Sequence, residues 1–243
     1  KPEDFFISSQ IQQQESVRQM KELWIEAFTS YSRVCYQSCE EVFTLYPGNQ
    51  PDQVRDGADP QRMRIIPNGI DVERFENLRS KAQVHGTPTI ALIGRIVPIK
   101  DIKTFLYACA QLKDKTPNFK ALIMGPTSED LKYADECTSL CTYLGLDDVV
   151  TFTGMVNVLD YLPEVDIQVL TSLSEVQPLV ILEAGAAGIP SVTTRVGHCE
   201  GMIMGDTEAS KKLGAGGFVV PLGNPPAIAD ALFALINDPE LYK

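Results

Sequence analysis

The chain has 243 residues, 44% of them hydrophobic, with 21 basic against 32 acidic side chains and a net charge of −11. That is enough apolar material for one large domain or two small ones. The acidic balance excludes a general nucleic-acid or membrane-surface binder, which needs a cationic face, yet it leaves room for a local cationic pocket around a phosphorylated small molecule.

Residues 11–42 carry apolar side chains at helical spacing. Val17, Met20, Leu23, Trp24, Ala27, Phe28 and Tyr31 form one stripe, which predicts a long amphipathic helix with Trp24 as a core or interface anchor. VFTLY (42–46) reads as a short strand and 47–62 as turn-rich, with one helical turn. MRIIPNGID (63–71) is a strand broken by Pro67, Asn68 and Gly69, and a polar linker follows.

From residue 88 the rhythm changes. Strands are predicted at 89–94, 119–125, 149–154, 166–172, 190–194 and 217–221. Helices are predicted at 101–113, 127–145, 178–188 and 225–238, with a short one at VLDYLPE. Gly145 closes the second helix, Thr127 or Ser128 is available to cap it, and Pro225 and Pro226 suit the first turn of the last. Strands alternating with helices predict a parallel α/β sheet with helices on both faces. In such sheets ligands bind outside the carboxyl ends of the strands, so the strand-to-helix loops are the places to look for chemistry.

No apolar run reaches the roughly 20 residues of a membrane span. The polar opening KPEDFFISSQ without Met, and the stop at INDPELYK, point to a piece of something longer. Six cysteines stand at 35, 39, 109, 137, 141 and 199, and the pairs Cys35/Cys39 and Cys137/Cys141 have the spacing that stacks them on one helix face. With only His85 and His198 beside them, the expectation is buried, reduced thiols of a cytoplasmic protein rather than a zinc site.

Two loops stand out. GRIVPIKD (94–101) puts Gly94 at a strand end, where the chain can turn closely, and flanks it with Arg95 and Lys100 near a helix start. A guanidinium fork and a point cation there suit an anion. SEVQPLVILEA (174–184) sets Glu175 in a loop, Pro178 at the helix start and Glu183 about one turn inside. A loop carboxylate can accept sugar hydroxyl protons, one in the helix can accept two vicinal hydroxyls, and the amides of 177–180 can face a diphosphate. Cations for a diphosphate and carboxylates for hydroxyls, at one sheet edge, together describe a nucleotide-sugar. The chain has no DxD pair, which disfavours a metal held that way and leaves Arg95 and Lys100 to stabilise the leaving phosphate.

GRIVPIK, IMGP, VTFTG and SEVQPLVILEAGAAGIPSVTT, in that order, resemble the C-terminal nucleotide-sugar-binding domain of family 4 glycosyltransferases with the GT-B fold. IIPNGID resembles the stretch that leads into that domain, and N-V-x-x-Y-L-P at 157–163 is most similar to the Pel-type exopolysaccharide glycosyltransferases. The resemblance spans about residues 20 to 243. It implies residues 1–75 as the end of an acceptor domain plus linker and 76–243 as the Rossmann-like donor domain. It implies Glu175, Arg95 and Lys100 as the catalytic set. It implies Gly94, Arg95, Lys100, Thr153, Gly154, Glu175, Gln177, Pro178, Leu179 and Glu183 around the donor. In this reading Arg95 and Lys100 bind the diphosphate, Glu175 the sugar and Glu183 the ribose, and the backbone at Thr153 and Gly154 lies near the base.

The implied reaction is hexose transfer from a UDP-sugar, UDP-glucose foremost, with retention and with neither metal nor other cofactor. The implied partners are the donor, a sugar or polysaccharide acceptor and a membrane-associated synthase complex. Two departures stand against the family pattern. Val176 occupies the place of a usual glycine, and a β-branched residue takes positive φ with difficulty. The family's N-terminal histidine has no counterpart, since His85 falls in the linker and His198 in a late loop. Two other readings stay open: a GT-B nucleotide-sugar 2-epimerase, and a non-catalytic nucleotide-binding assembly module.

Overall fold

The structure is a computed structural model that describes residues 15–78 and 86–238, with side chains from Arg18 onward. The first residues of the predicted helix, the side chain of Val17, the linker stretch 79–85 with His85, and the last five residues lie outside the described residues. The chain divides into two compact units between Asn68 and Gly69.

The first unit opens with helix α1 (Glu15–Ser38). Strand β1 (Val42–Thr44), helix α2 (Gln50–Arg55) and strand β2 (Met63–Ile65) follow, with β1 and β2 parallel and Val42 opposite Met63. Val42, Ala58 and Met63 form its small buried cluster, with Tyr36 of α1 against it. The apolar stripe of α1 is not buried in that cluster: Leu23 is 66% exposed, Trp24 52% and Tyr31 73%. Lys21, Ile25, Thr29, Ser32 and Tyr36 are the better covered residues of the helix. Helical period identifies an apolar face but not what covers it.

The second unit is an α/β layer structure. Helix α3 (Glu73–Glu76) precedes strand β3 (Thr89–Ile93), helix α4 (Ile102–Lys115), strand β4 (Lys120–Met124), helix α5 (Leu131–Tyr143) and strand β5 (Val150–Gly154). Then come helix α6 (Val158–Tyr161), strand β6 (Ile167–Leu170), helix α7 (Leu179–Ala186), strand β7 (Ser191–Thr194), helix α8 (Cys199–Met204), helix α9 (Glu208–Lys211), strand β8 (Gly217–Val220) and helix α10 (Pro225–Asn237). The six strands from β3 onward form one sheet in the order β5-β4-β3-β6-β7-β8, all neighbours parallel. This is the doubly wound order, with its topological switch point between β3 and β6.

Strands β3 and β6 are buried along their whole length, which is why they read as largely apolar runs, with Gln168 the buried polar residue of β6. One face of the sheet packs Ile90, Leu92, Ile167, Val169 and Val192 against Phe105, Leu106 and Leu112 of α4 and Ile228, Leu232 and Leu235 of α10. The other face packs Ala91, Ile93 and Met124 against Ala184 of α7 and its C-cap residue Ala187, with Phe75 of α3 in the same cluster. Each fully buried Leu, Ile or Phe of these layers contributes about 1.5–3 kcal/mol.

The helix ends differ from the sequence expectation in instructive ways. Asp130, not Thr127 or Ser128, caps α5, accepting from the Tyr133 amide at 2.9 Å. An aspartate offers a charged acceptor for the same orphan amide. Pro225 and Pro226 do sit in the first turn of α10, behind an Asn224 cap. The short helices α8 and α9 have no counterpart among the predicted elements; α9 is held by a Thr207–Ser210 capping box. Four cysteines are buried as expected, but Cys35 and Cys39 are exposed, and Cys39 lies past the end of α1 at Ser38.

Candidate functional site

The carboxyl ends of β3 and β6 are neighbours, so the loops that leave them diverge around the switch point. The loops are fastened at their bases. The Leu173 amide donates to the Ile99 carbonyl at 2.8 Å, and the Thr171 hydroxyl donates to the carbonyls of Lys100 and Asp101 at 2.8 and 3.0 Å. Asp101, the one non-glycine residue with positive φ among those described, turns the first loop into α4 and caps it through the Thr104 amide. Aspartate tolerates this left-handed conformation better than most residues.

This fastening brings two predicted residues together. Lys100 Nζ lies 2.5 Å from Glu175 Oε1, and both side chains are largely buried, at 17% and 16% exposure. Ser172 Oγ donates to the same carboxylate oxygen at 2.8 Å. The Lys100 side chain runs over Gly94, where an added Cβ would meet Lys100 Cε at 3.4 Å. Lys100, Gly94, Ser172 and Glu175 thus form one charged, hydrogen-bonded cluster at the switch point. Burial foremost, with the charge of Glu175 next, pushes the Cys199 thiol up to about 12, so this carboxylate is felt in α8 as well.

Arg95 does not join that cluster. Its guanidinium pairs with Glu129 of the loop after β4, at 2.7 Å, on a solvent-exposed surface. The β3 and β4 loops nevertheless touch. A Cβ on Gly125 would lie 1.9 Å from the Gly94 carbonyl oxygen, so only glycine admits this approach.

Thr153 and Gly154 end the edge strand β5, two strands from the switch point. The Thr153 hydroxyl bonds backbone carbonyls, and the Gly154 carbonyl accepts the Gly125 amide at 2.9 Å.

Gln177 and Pro178 are buried at the entry to α7, Pro178 as its N-cap, and Leu179 opens the helix half-exposed. Glu183 is the fifth residue of α7 and half-buried. Burial raises its carboxyl pKa, and the positive charge of Arg74 from α3 opposes the rise. No hydrogen bond or ion pair to its carboxylate occurs among the described residues. A desolvated carboxylate with unfilled acceptor capacity, facing one cation, is a ready acceptor for hydroxyl donors.

Val176 takes an ordinary backbone conformation, since no described residue but Asp101 and glycines has positive φ. The β-branched residue therefore avoids the left-handed conformation that would favour glycine here. Two other hollows of the second unit, of about 340 and 430 Å3, lie against β8 and beside Thr89 and Lys120 respectively; neither is lined by Lys100, Glu175 or Glu183.

Residues 87–238 match the family described as Glycosyl transferases group 1. The chain belongs to the group 1 glycosyltransferases. Residues 4–61 match a second family, described as Domain of unknown function (DUF3492).

Among related group 1 glycosyltransferases, a D-inositol 3-phosphate glycosyltransferase of Streptomyces bingchenggensis is 30% identical over 202 residues, covering 77% of this chain and 43% of that protein. The chain thus spans less than half the length of such curated relatives. The C-terminal domain of a Glycosyl Transferase Group 1 Family Protein (LpcC) from Francisella tularensis superposes with TM-score 0.59 at 28% identity, covering 72% of this chain and 91% of that one. Anabaena Alr3699/HepE, crystallised with UDP-glucose, superposes with TM-score 0.71 at 22% identity, covering 87% of this chain and 59% of that one. The fold is α/β of the GT-B type.

Several side chains of this candidate site escaped the reading of the sequence. Ser172 carried a signal, as a hydroxyl at the carboxyl end of the strand next to the switch point. Glu129 and Arg74 carried none, because their partners lie 34 and 109 positions away along the chain.

Proposed function

We propose that this chain is the donor-binding half of a retaining glycosyltransferase that moves a hexose from a UDP-sugar, with UDP-glucose the favoured donor. The observation that carries the reading is the Lys100–Glu175 pair across the switch point, a cation for phosphate and a carboxylate for sugar hydroxyls set side by side. The Glu183 carboxylate in α7 supports it as the ribose acceptor. The structural likeness to a protein crystallised with UDP-glucose agrees with the choice of donor.

In this reading Lys100 and Arg95 stabilise charge that develops on the leaving diphosphate, and Glu175 orients the sugar. Transfer proceeds on one face: the acceptor oxygen bonds the anomeric carbon as the bond to the leaving phosphate breaks, and that phosphate takes the acceptor proton. The two lysine and arginine cations do what a metal does in other transferases. The acceptor is a sugar or polysaccharide, the cellular setting is cytoplasmic exopolysaccharide synthesis, and the wider assembly is a membrane-associated synthase. The Pel-like sequence at 157–163 supports this last part. No helix among the described residues is long and apolar enough to cross a membrane.

Calorimetric titration of this chain with UDP, UDP-glucose, GDP-mannose and ADP-glucose tests the reading. UDP-glucose is expected to bind, and Lys100→Ala and Glu183→Gln to weaken it. A chain that binds none of these nucleotides, or binds them equally in both variants, would overturn it. Nucleotide release by the full-length protein, followed for each donor, then identifies the sugar.

A further inference from the structure

The loop that carries Glu175 is braced by a second loop, and the brace runs through a histidine to which the donor reading gives no role. His198 is the N-cap residue of α8, at the end of the loop from β7. Its backbone N–H donates to the Val176 carbonyl at 2.8 Å. Its ring joins Asp206 Oδ2 to Nε2 at 3.0 Å and Gln177 Nε2 to Nδ1 at 3.4 Å. One residue earlier, Gly197 has φ 50°, and a Cβ there would lie 2.1 Å from the Glu175 carbonyl oxygen. The two loops therefore meet backbone to backbone at Glu175 and Val176, the residue that carries the carboxylate and its neighbour.

The proton assignment follows from the partners. An ionised aspartate only accepts, so Nε2 carries the hydrogen. In the neutral ring Nδ1 then offers a lone pair to the Gln177 amide, 3.4 Å away. Asp206 fixes the ring, the ring fixes the amide of Gln177, and Gln177 is 8% exposed, with little freedom to turn away. The backbone bond to Val176 holds the residue between Gln177 and Glu175.

We propose that His198 is a positioning residue for the donor loop. Oriented by Asp206, it holds Val176 and Gln177 and thereby aims the Glu175 carboxylate at the switch point. It touches no reacting atom. The inference rests on the donor-site reading above, and its test separates the two.

The test compares wild type, His198→Ala, His198→Asn and Asp206→Ala, each confirmed folded by circular dichroism. Amide hydrogen exchange over 173–177 is read without ligand, and UDP-glucose affinity by calorimetry. His198→Ala is expected to speed exchange in that segment, leave β3 and α4 unchanged, and weaken UDP-glucose about fivefold, the loss of one hydrogen bond. Asn, whose side-chain carbonyl takes the place of Nδ1, restores most of both. Asp206→Ala, at an exposed position, gives a smaller change of the same sign and serves if His198→Ala does not fold. Unchanged exchange over 173–177, unchanged affinity, or equal losses for Ala and Asn would overturn the proposal. A wild-type chain that binds no UDP-glucose would instead sink the donor reading, and the exchange data would still decide the brace.

Discussion

Lys100 Nζ and Glu175 Oε1 lie 2.5 Å apart, joined across the switch point between β3 and β6 by side chains 75 positions apart. The carboxylate proposed for the sugar thus holds the cation proposed for the diphosphate. An entering phosphate has to exchange with Glu175 for Lys100. The pair is mostly buried, so this exchange is screened far less than one on the surface.

Replacing Glu175 by Gln removes the competing charge and keeps the shape. Free UDP is expected to bind about three- to tenfold tighter, because Lys100 no longer has an anionic partner to lose. Sugar transfer by the full-length protein is expected to fall about a hundredfold or more, the scale of losing one group that acts on the transition state. Lys100→Ala should weaken UDP about tenfold or more. Unaltered UDP affinity in Glu175→Gln would show that the two anions do not compete.

Arg95 is paired as well, with Glu129. That pair is exposed on both sides, so its contribution to stability is below about 1 kcal/mol. Glu129→Gln is expected to leave the melting temperature nearly unchanged and to tighten UDP binding by no more than about fivefold, an effect that fades in high salt. A large loss of stability in this variant would contradict the assignment.

Glu183 offers a test by pH. Burial raises its folded-state pKa above the unfolded value. The fold therefore binds this proton more tightly, and that stabilisation is complete below the unfolded pKa and lost as pH rises through the folded one. At neutral pH the ionised carboxylate weighs against folding. Glu183→Gln should stabilise the fold at pH 7 by less than about 1 kcal/mol for a half-exposed group, seen as a small rise in melting temperature, and give no gain below about pH 4. The same variant should lose about tenfold in UDP affinity, a trade between stability and function. A destabilised variant at pH 7 would refute the assigned direction.

Asp166 separates fold from site. Its carboxylate is buried and accepts the Thr89 amide at 2.7 Å, while its own amide donates to the Thr89 carbonyl. These bonds join β3 to β6 at the end of the sheet opposite the candidate site. Asp166→Ala is expected to cost about 1–3 kcal/mol in urea denaturation. UDP affinity of the folded variant should stay within about twofold of wild type, the additivity expected of distant, independent sites. A large loss of affinity would mean that the two ends of the sheet are coupled.

Much of the second unit was legible because its signals are local. Runs such as TIALIG and DIQVLTS are buried on both faces in a parallel sheet, and they came out as β3 and β6 within a residue or two. Helices α7 and α10 were marked by prolines at their starts. Helix α8 escaped because six residues at the turn RVGHCEGM carry too little period to be seen. The stripe of α1 was read correctly as an apolar face, but coverage is a tertiary property that helical period does not contain.

Of the candidate site, the residue types and their loops were determined by the sequence alone. The parallel direction of the strands places every βα loop at one edge, so Arg95, Lys100 and Glu175 had to lie there. Which of them meet was decided only by the tertiary structure. Lys100 reaches Glu175 because β3 lies beside β6, whereas Arg95 turns to Glu129 because β3 also lies beside β4. The ordinary backbone at Val176 and the brace from His198 depend in the same way on the loop after β7 folding under the loop after β6. Periodicity and capping act over one or two turns of chain, while ion pairs, burial and close backbone approach act between segments whose proximity exists only once the sheet has assembled.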